Sequence, residues 1–82
     1  MLLEVVTPDK KIFEGEASSA TFTGSDGEFQ VLNGHAPMIS ALGKGKMTIK
    51  ASGKDEVVMI DGGVVEVLNN KVIVLAESVI ED

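Results

Sequence analysis

The sequence has no cysteine, no arginine, no tryptophan and no tyrosine. Without cysteine, disulfides cannot staple the fold, and zinc sites built on cysteine pairs are excluded. A small domain free of disulfides is the kind expected in the cytosol. With a single histidine, His35, a metal site would need several carboxylates brought together. Without arginine, bidentate clamps on phosphate are missing. The formal net charge of −6 argues against nucleic acid as a partner, because that role needs clustered cations to replace counterions. No apolar run approaches the roughly 18 residues that a helix needs to cross a bilayer. The opening MLLEVVTPDKK has no basic leader followed by a long apolar core, so it does not read as a secretory signal.

What is present is alternation. At 82 residues the chain is expected to be one domain, residues 1–82. A chain of this size buries about 60–65% of its unfolded surface, enough for one modest core. Pro8-Asp9-Lys10 ends a first β-branched run, and Gly15 in the next run predicts a bend or bulge. Ala20 and Phe22 alternate with Ser19, Thr21 and Thr23, and Phe29 and Val31 alternate with Glu28 and Gln30. Turn chemistry falls at Gly24–Gly27, Asn33-Gly34, Gly43–Gly45, Ser52–Lys54, Asp61–Gly63 and Asn69-Asn70. Glu77–Ile80 is read as a last short edge strand. The fold class expected is all-β, a flattened β-sandwich or barrel of about ten short strands. Its only aromatics are three phenylalanines, so Val, Ile, Leu and Met must build the core.

Chemistry concentrates in Thr23–Gly45, which holds the histidine and many of the glycines. His35 could act as a base for Ser40 or Ser25, but no nucleophile motif surrounds either serine. An imidazole that satisfies loop backbone, or lies at a contact surface, is the better reading. Asp26 and Glu28 could bind a cation but lack calcium-loop spacing, so a solvated turn is preferred. The glycines do not form a phosphate cradle, which requires a following helix N-terminus. Lys44, Lys46, Lys50 and Lys54 form one basic segment, read as a solvated face or a guarded sheet edge. No catalytic residue, cofactor, metal or small-molecule ligand is expected.

Three spaced motifs carry a resemblance that spans essentially the whole chain. The first is Val6–Gly15, VTPDKKIFEG. The second is TGSDGE at residues 23–28, followed after a strand by GHAP at residues 34–37 and then Gly43-x-Gly45. The third is Gly62-Gly63-Val64-Val65-Glu66-Val67, followed by Val72–Glu77. Together they resemble the N-terminal β-sandwich domain of the epsilon subunit of F-type ATP synthases. Where many members have proline and glycine before the histidine, this chain has Asn33-Gly34, which serves the same turn. The family usually continues into a C-terminal helical hairpin, whereas this sequence stops at Asp82. Roles tied to that hairpin, inhibition of ATP hydrolysis and ATP binding, are therefore not expected of these residues.

The resemblance implies a non-catalytic rotor subunit of the central stalk that couples proton-driven rotation to ATP synthesis. It would dock on the gamma subunit and on the c-ring. It would lie at the cytoplasmic face of the bacterial inner membrane, peripherally and through the complex. Carried over by motif, the c-ring contact would be Ser25, Asp26, Gly27 and Glu28. The gamma contact would be His35, Ala36, Pro37, Met38 and Ser40, with Thr7 nearby. Met38 and Ile39 are candidates for an apolar contact patch, with core burial an equal expectation for each. The competing class is a biotinyl or lipoyl carrier domain modified at Lys46, although Lys46 starts a strand rather than capping a turn.

Overall fold

Nine strands make up the computed structural model, which describes residues 1–80; Glu81 and Asp82 of the expected domain lie outside the described residues. They are β1 (Leu2–Val6), β2 (Lys11–Glu16), β3 (Ser19–Gly24), β4 (Gly27–Leu32), β5 (Met38–Leu42), β6 (Gly45–Ala51), β7 (Lys54–Ile60), β8 (Gly63–Leu68) and β9 (Lys71–Ala76). The all-β expectation holds. The tenth strand reduces to one bridge, Ile60 to Val79, where the chain leaving β9 folds back beside β7.

The strands form two layers. One has the order β2-β1-β9-β8-β5, and the other is β4-β3-β6-β7. The layers join at one corner through the single pair Gly24–Leu42. Every pairing is antiparallel except β1 with β9, where the N-terminal strand lies parallel to the last one. Because the strands alternate in direction, connections fall at two opposite ends. One end carries the β1–β2, β3–β4, β5–β6 and β7–β8 turns; the other carries Met1 and the β2–β3, β4–β5, β6–β7 and β8–β9 turns.

Alternation sends one phase of each strand into the space between the layers. Leu3 and Val5 of β1, Ala20 and Phe22 of β3, Met47 and Ile49 of β6, Val65 of β8 and Val74 of β9 are sealed from solvent. Phe22 faces Phe29 across β3–β4, with ring centroids 5.4 Å apart and tilted by 36°. In β2 the regular pattern breaks at Ile12 rather than at Gly15. Val5 pairs with Phe13 and Val6 with Lys11, so Ile12 is an extra residue in a bulge. The bulge lets adjacent residues Ile12 and Phe13 both pack on the core, which strict alternation forbids.

Candidate functional site

The β3–β4 turn is built tightly. Gly24 pairs with Gly27, leaving Ser25-Asp26 at the tip. A Cβ on Gly24 would stand 2.8 Å from the Gly27 carbonyl oxygen, so a larger residue does not fit there. Ser25 donates its N–H to the Ala41 carbonyl at 3.3 Å, and Gly43 donates to the Thr23 carbonyl at 2.9 Å. These bonds lash the turn to β5. Ser25, Asp26, Gly27 and Glu28 are all exposed, so the turn offers two carboxylates to solvent on a fixed backbone. Among the described residues, no three acidic or imidazole groups converge to hold a metal.

The GHAP corner lies at the opposite end. His35 donates its N–H to the Leu32 carbonyl at 3.1 Å, closing the turn after β4. Its Nδ1 lies 2.7 Å from the Ala36 carbonyl oxygen, which can only accept, so that nitrogen carries the proton. Gly34, at φ 77°, donates to Asn70 Oδ1 at 2.9 Å, and Asn33 Oδ1 accepts from the Met1 ammonium. Ser25 stands at the other end, and Ser40 Oγ bonds at 3.4 Å only to its own neighbour, the Ala41 carbonyl. The imidazole therefore organises a loop, with neither serine on it.

The structure brings together His35, Ala36, Pro37 and Met38 but not Thr7. Thr7 sits beyond Val6 at the end that carries the Ser25-Asp26 turn. Its hydroxyl closes its own turn, donating to the Lys10 carbonyl and accepting the Lys10 N–H, both at 3.2 Å. In β5, Met38 and Ser40 take the half-buried phase, with Met38 packed against the core. Ile39 points the other way and is 71% exposed.

Of the two residues expected in an apolar contact patch, Ile39 is the exposed one, and the exposed apolar surface extends beyond it to residues the sequence did not link to it. Val64, Leu68 and Leu75 are also exposed, on the same outer side of the five-stranded layer. The signal was available: VVEVL and VIVLA carry apolar residues on both phases, as strands covered on both faces do. Lys46 lies within β6 opposite Met59, away from any turn tip, so nothing presents it as a carrier lysine.

The chain is a two-layer sandwich with exposed turns and an uncovered apolar face. Comparison with known proteins supplies the family. Residues 1–82 match the family model described as ATP synthase, Delta/Epsilon chain, beta-sandwich domain, and the chain belongs to that family. That domain belongs to a non-catalytic subunit of ATP synthase. The ATP synthase epsilon chain of Chlorobium limicola is 46% identical over 78 residues, covering 94% of this chain and 89% of that relative. That of Nitratidesulfovibrio vulgaris strain DP4 is 47% identical over 76 residues, covering 93% of this chain but only 57% of the relative. The chain thus spans nearly all of some curated relatives and little more than half of others. Among solved structures, a chain of the Euglena gracilis mitochondrial ATP synthase (OSCP/F1/c-ring, rotational state 1) superposes with a TM-score of 0.88 at 25% identity, covering 95% of this chain and 51% of that one. A chain of the Tetrahymena thermophila mitochondrial ATP synthase central stalk and c-ring shares the fold, with a TM-score of 0.84 at 16% identity over 98% of this chain and 65% of that one.

Proposed function

We propose that this chain is the docking domain of a central-stalk rotor subunit, joining the gamma subunit to the c-ring so that proton-driven rotation of the ring reaches the catalytic head. The observation that carries this reading is the placement of the TGSDGE turn and the GHAP corner at opposite ends of one stiff sandwich. β4 spans them, and six residues of strand hold the two ends roughly 20 Å apart. A body that couples two partners needs two separate faces and little give between them. Interdigitated β-branched side chains supply that stiffness.

In this reading Ser25, Asp26, Gly27 and Glu28 meet the polar loops of the c-ring. His35, Ala36, Pro37, Met38 and Ser40 meet gamma. Thr7 joins the gamma contact only if gamma lies along the whole five-stranded layer, because Thr7 and His35 mark opposite ends of it. The domain works at the cytoplasmic face of the bacterial inner membrane, held there by the complex. Site-specific photocrosslinking tests the assignment. A crosslinker at Asp26 should capture the c-ring and one at Ala36 should capture gamma. Capture of neither, or of the two partners exchanged, contradicts it.

A further inference from the structure

Asn33-Gly34 is the one asparagine–glycine step in the sequence, and it opens the GHAP corner. The side-chain amide of an asparagine can be attacked by the main-chain nitrogen of the next residue, which makes asparagine one of the thermolabile residues. A side chain on that next residue crowds the attacking nitrogen; glycine has none. Asn69 and Asn70, followed by Asn70 and Lys71, lack this opening. Asn33 and Gly34 are both exposed, and a Cβ on Gly34 would meet nothing within 4 Å, so water reaches the step.

The fold nonetheless occupies both reacting groups. The Gly34 N–H must lose its proton before the nitrogen can attack, and it is donated to Asn70 Oδ1 at 2.9 Å. The Asn33 carboxamide is held by its oxygen, which accepts from the Met1 ammonium. The bond from the His35 N–H to the Leu32 carbonyl, at 3.1 Å, closes the backbone around the step. Asn70 is itself fixed: it sits at φ 60° in the β8–β9 turn, and its main-chain carbonyl accepts the Leu2 N–H at 3.1 Å. The nucleophile is therefore masked by a separate hairpin, 36 residues further along the chain.

We propose that Asn33 is a deamidation site whose chemistry Asn70 holds off while the GHAP corner is closed. When the corner opens, the Gly34 nitrogen gives its proton to hydroxide and bonds to Asn33 Cγ. The bond from Cγ to the side-chain nitrogen breaks, and ammonia leaves with a proton taken from water, which regenerates hydroxide. Water then opens the cyclic imide at either carbonyl carbon, yielding an aspartyl or an isoaspartyl linkage with a new carboxylate. The isoaspartyl product adds a methylene to the main chain inside the Leu32–His35 turn, so the corner cannot return to its former geometry. None of this depends on which partner the corner meets.

The test is incubation of the full chain, Asn70→Gly and Asn70→Asp in mildly alkaline buffer, followed by cleavage after lysine and mass analysis. Residues 12–44 form one fragment with Asn33 as its sole asparagine, which matters because Asn70→Gly also places a glycine after Asn69. Isomerisation at Asp26-Gly27, in the same fragment, leaves its mass unchanged. Asn70→Gly keeps the left-handed turn but deletes the acceptor, and should speed amide loss from that fragment by about fivefold or more. Asn70→Asp keeps an acceptor for the Gly34 N–H and should stay close to the natural rate, which a general loosening of the hairpin would not do. The natural chain unfolded in denaturant should also react faster than the folded chain. Equal rates in the natural chain and Asn70→Gly, or a folded chain that reacts as fast as the unfolded one, would overturn the proposal.

Discussion

Gly34 donates its backbone N–H to the side-chain oxygen of Asn70 at 2.9 Å, fastening the turn before His35 to the β8–β9 turn. Asn70 also holds a left-handed backbone, φ 60°, which asparagine tolerates and alanine resists. Asn70→Ala loses both features and should cost about 1–3 kcal/mol in denaturant unfolding. Asn70→Gly keeps the backbone and loses only the bond. It should cost less, yet still speed amide exchange at Gly34 and His35. Unchanged exchange there would mean that the bond does not hold the corner.

Leu3 and Ile39 test which apolar residues hold the fold. Leu3 is fully buried in β1 between β2 and β9, whereas Ile39 projects from the opposite layer face into solvent. Leu3→Ala should destabilise by about 2–5 kcal/mol, a large share of what a small domain possesses. Ile39→Ser should leave thermal unfolding within a few degrees of the natural chain while weakening partner binding. A large loss of stability in Ile39→Ser would make that residue structural.

Gly63 meets β9 where no side chain fits. At φ 153°, a Cβ there would fall on the Leu75 carbonyl oxygen and within 2.9 Å of Ala76 Cα. Gly63→Ala should therefore cost upwards of about 2 kcal/mol and disturb the β8–β9 ladder first, visible as lost exchange protection at Ala76. Gly53→Ala is the control, since its left-handed turn has open space around it and only the backbone cost applies.

Lys11 supplies the pH dependence. Hydrogen bonds to Glu14, at 3.0 Å, and to Glu4 raise its pKa above the ordinary 10.5. A cation with a raised folded value stabilises fully below its unfolded value, and that contribution disappears as pH rises through the folded value. Lys11 is at the surface, so the effect is small and salt-screened. The stability difference between the natural chain and Lys11→Met should be flat from pH 7 to 9, fall away as pH rises past the ordinary lysine value of 10.5, and shrink in 1 M salt. A difference that persists at pH 12 would assign it to packing of the lysine stem.

The strands were legible because burial imposes a period of two. Ala20 and Phe22 against Thr21 and Thr23, or Met47 and Ile49 against Lys46 and Lys50, fix both existence and facing. Asn69-Asn70 announced its hairpin because both residues accept positive φ. The parallel seating of β1 beside β9 was not legible, since nothing local links Leu2–Val6 to Lys71–Ala76. The Ile12 bulge was hidden for a different reason: only the packed core shows that Ile12 and Phe13 both need to face inward. The motif residues were easy to find, but their grouping was not. Thr7 and His35 looked like neighbours in function and lie at opposite ends. Ile39, Val64, Leu68 and Leu75 share a face only because β5, β8 and β9 are adjacent in the sheet.

Co-purification tests the central claim most directly. The tagged chain is mixed with gamma and with the detergent-solubilised c-ring, separately and together, and the captured partners are identified. Docking at two ends predicts capture of each partner alone and a ternary complex with both. It also predicts that Asp26→Lys with Glu28→Lys releases the ring but keeps gamma. A folded chain that captures neither partner would contradict the account.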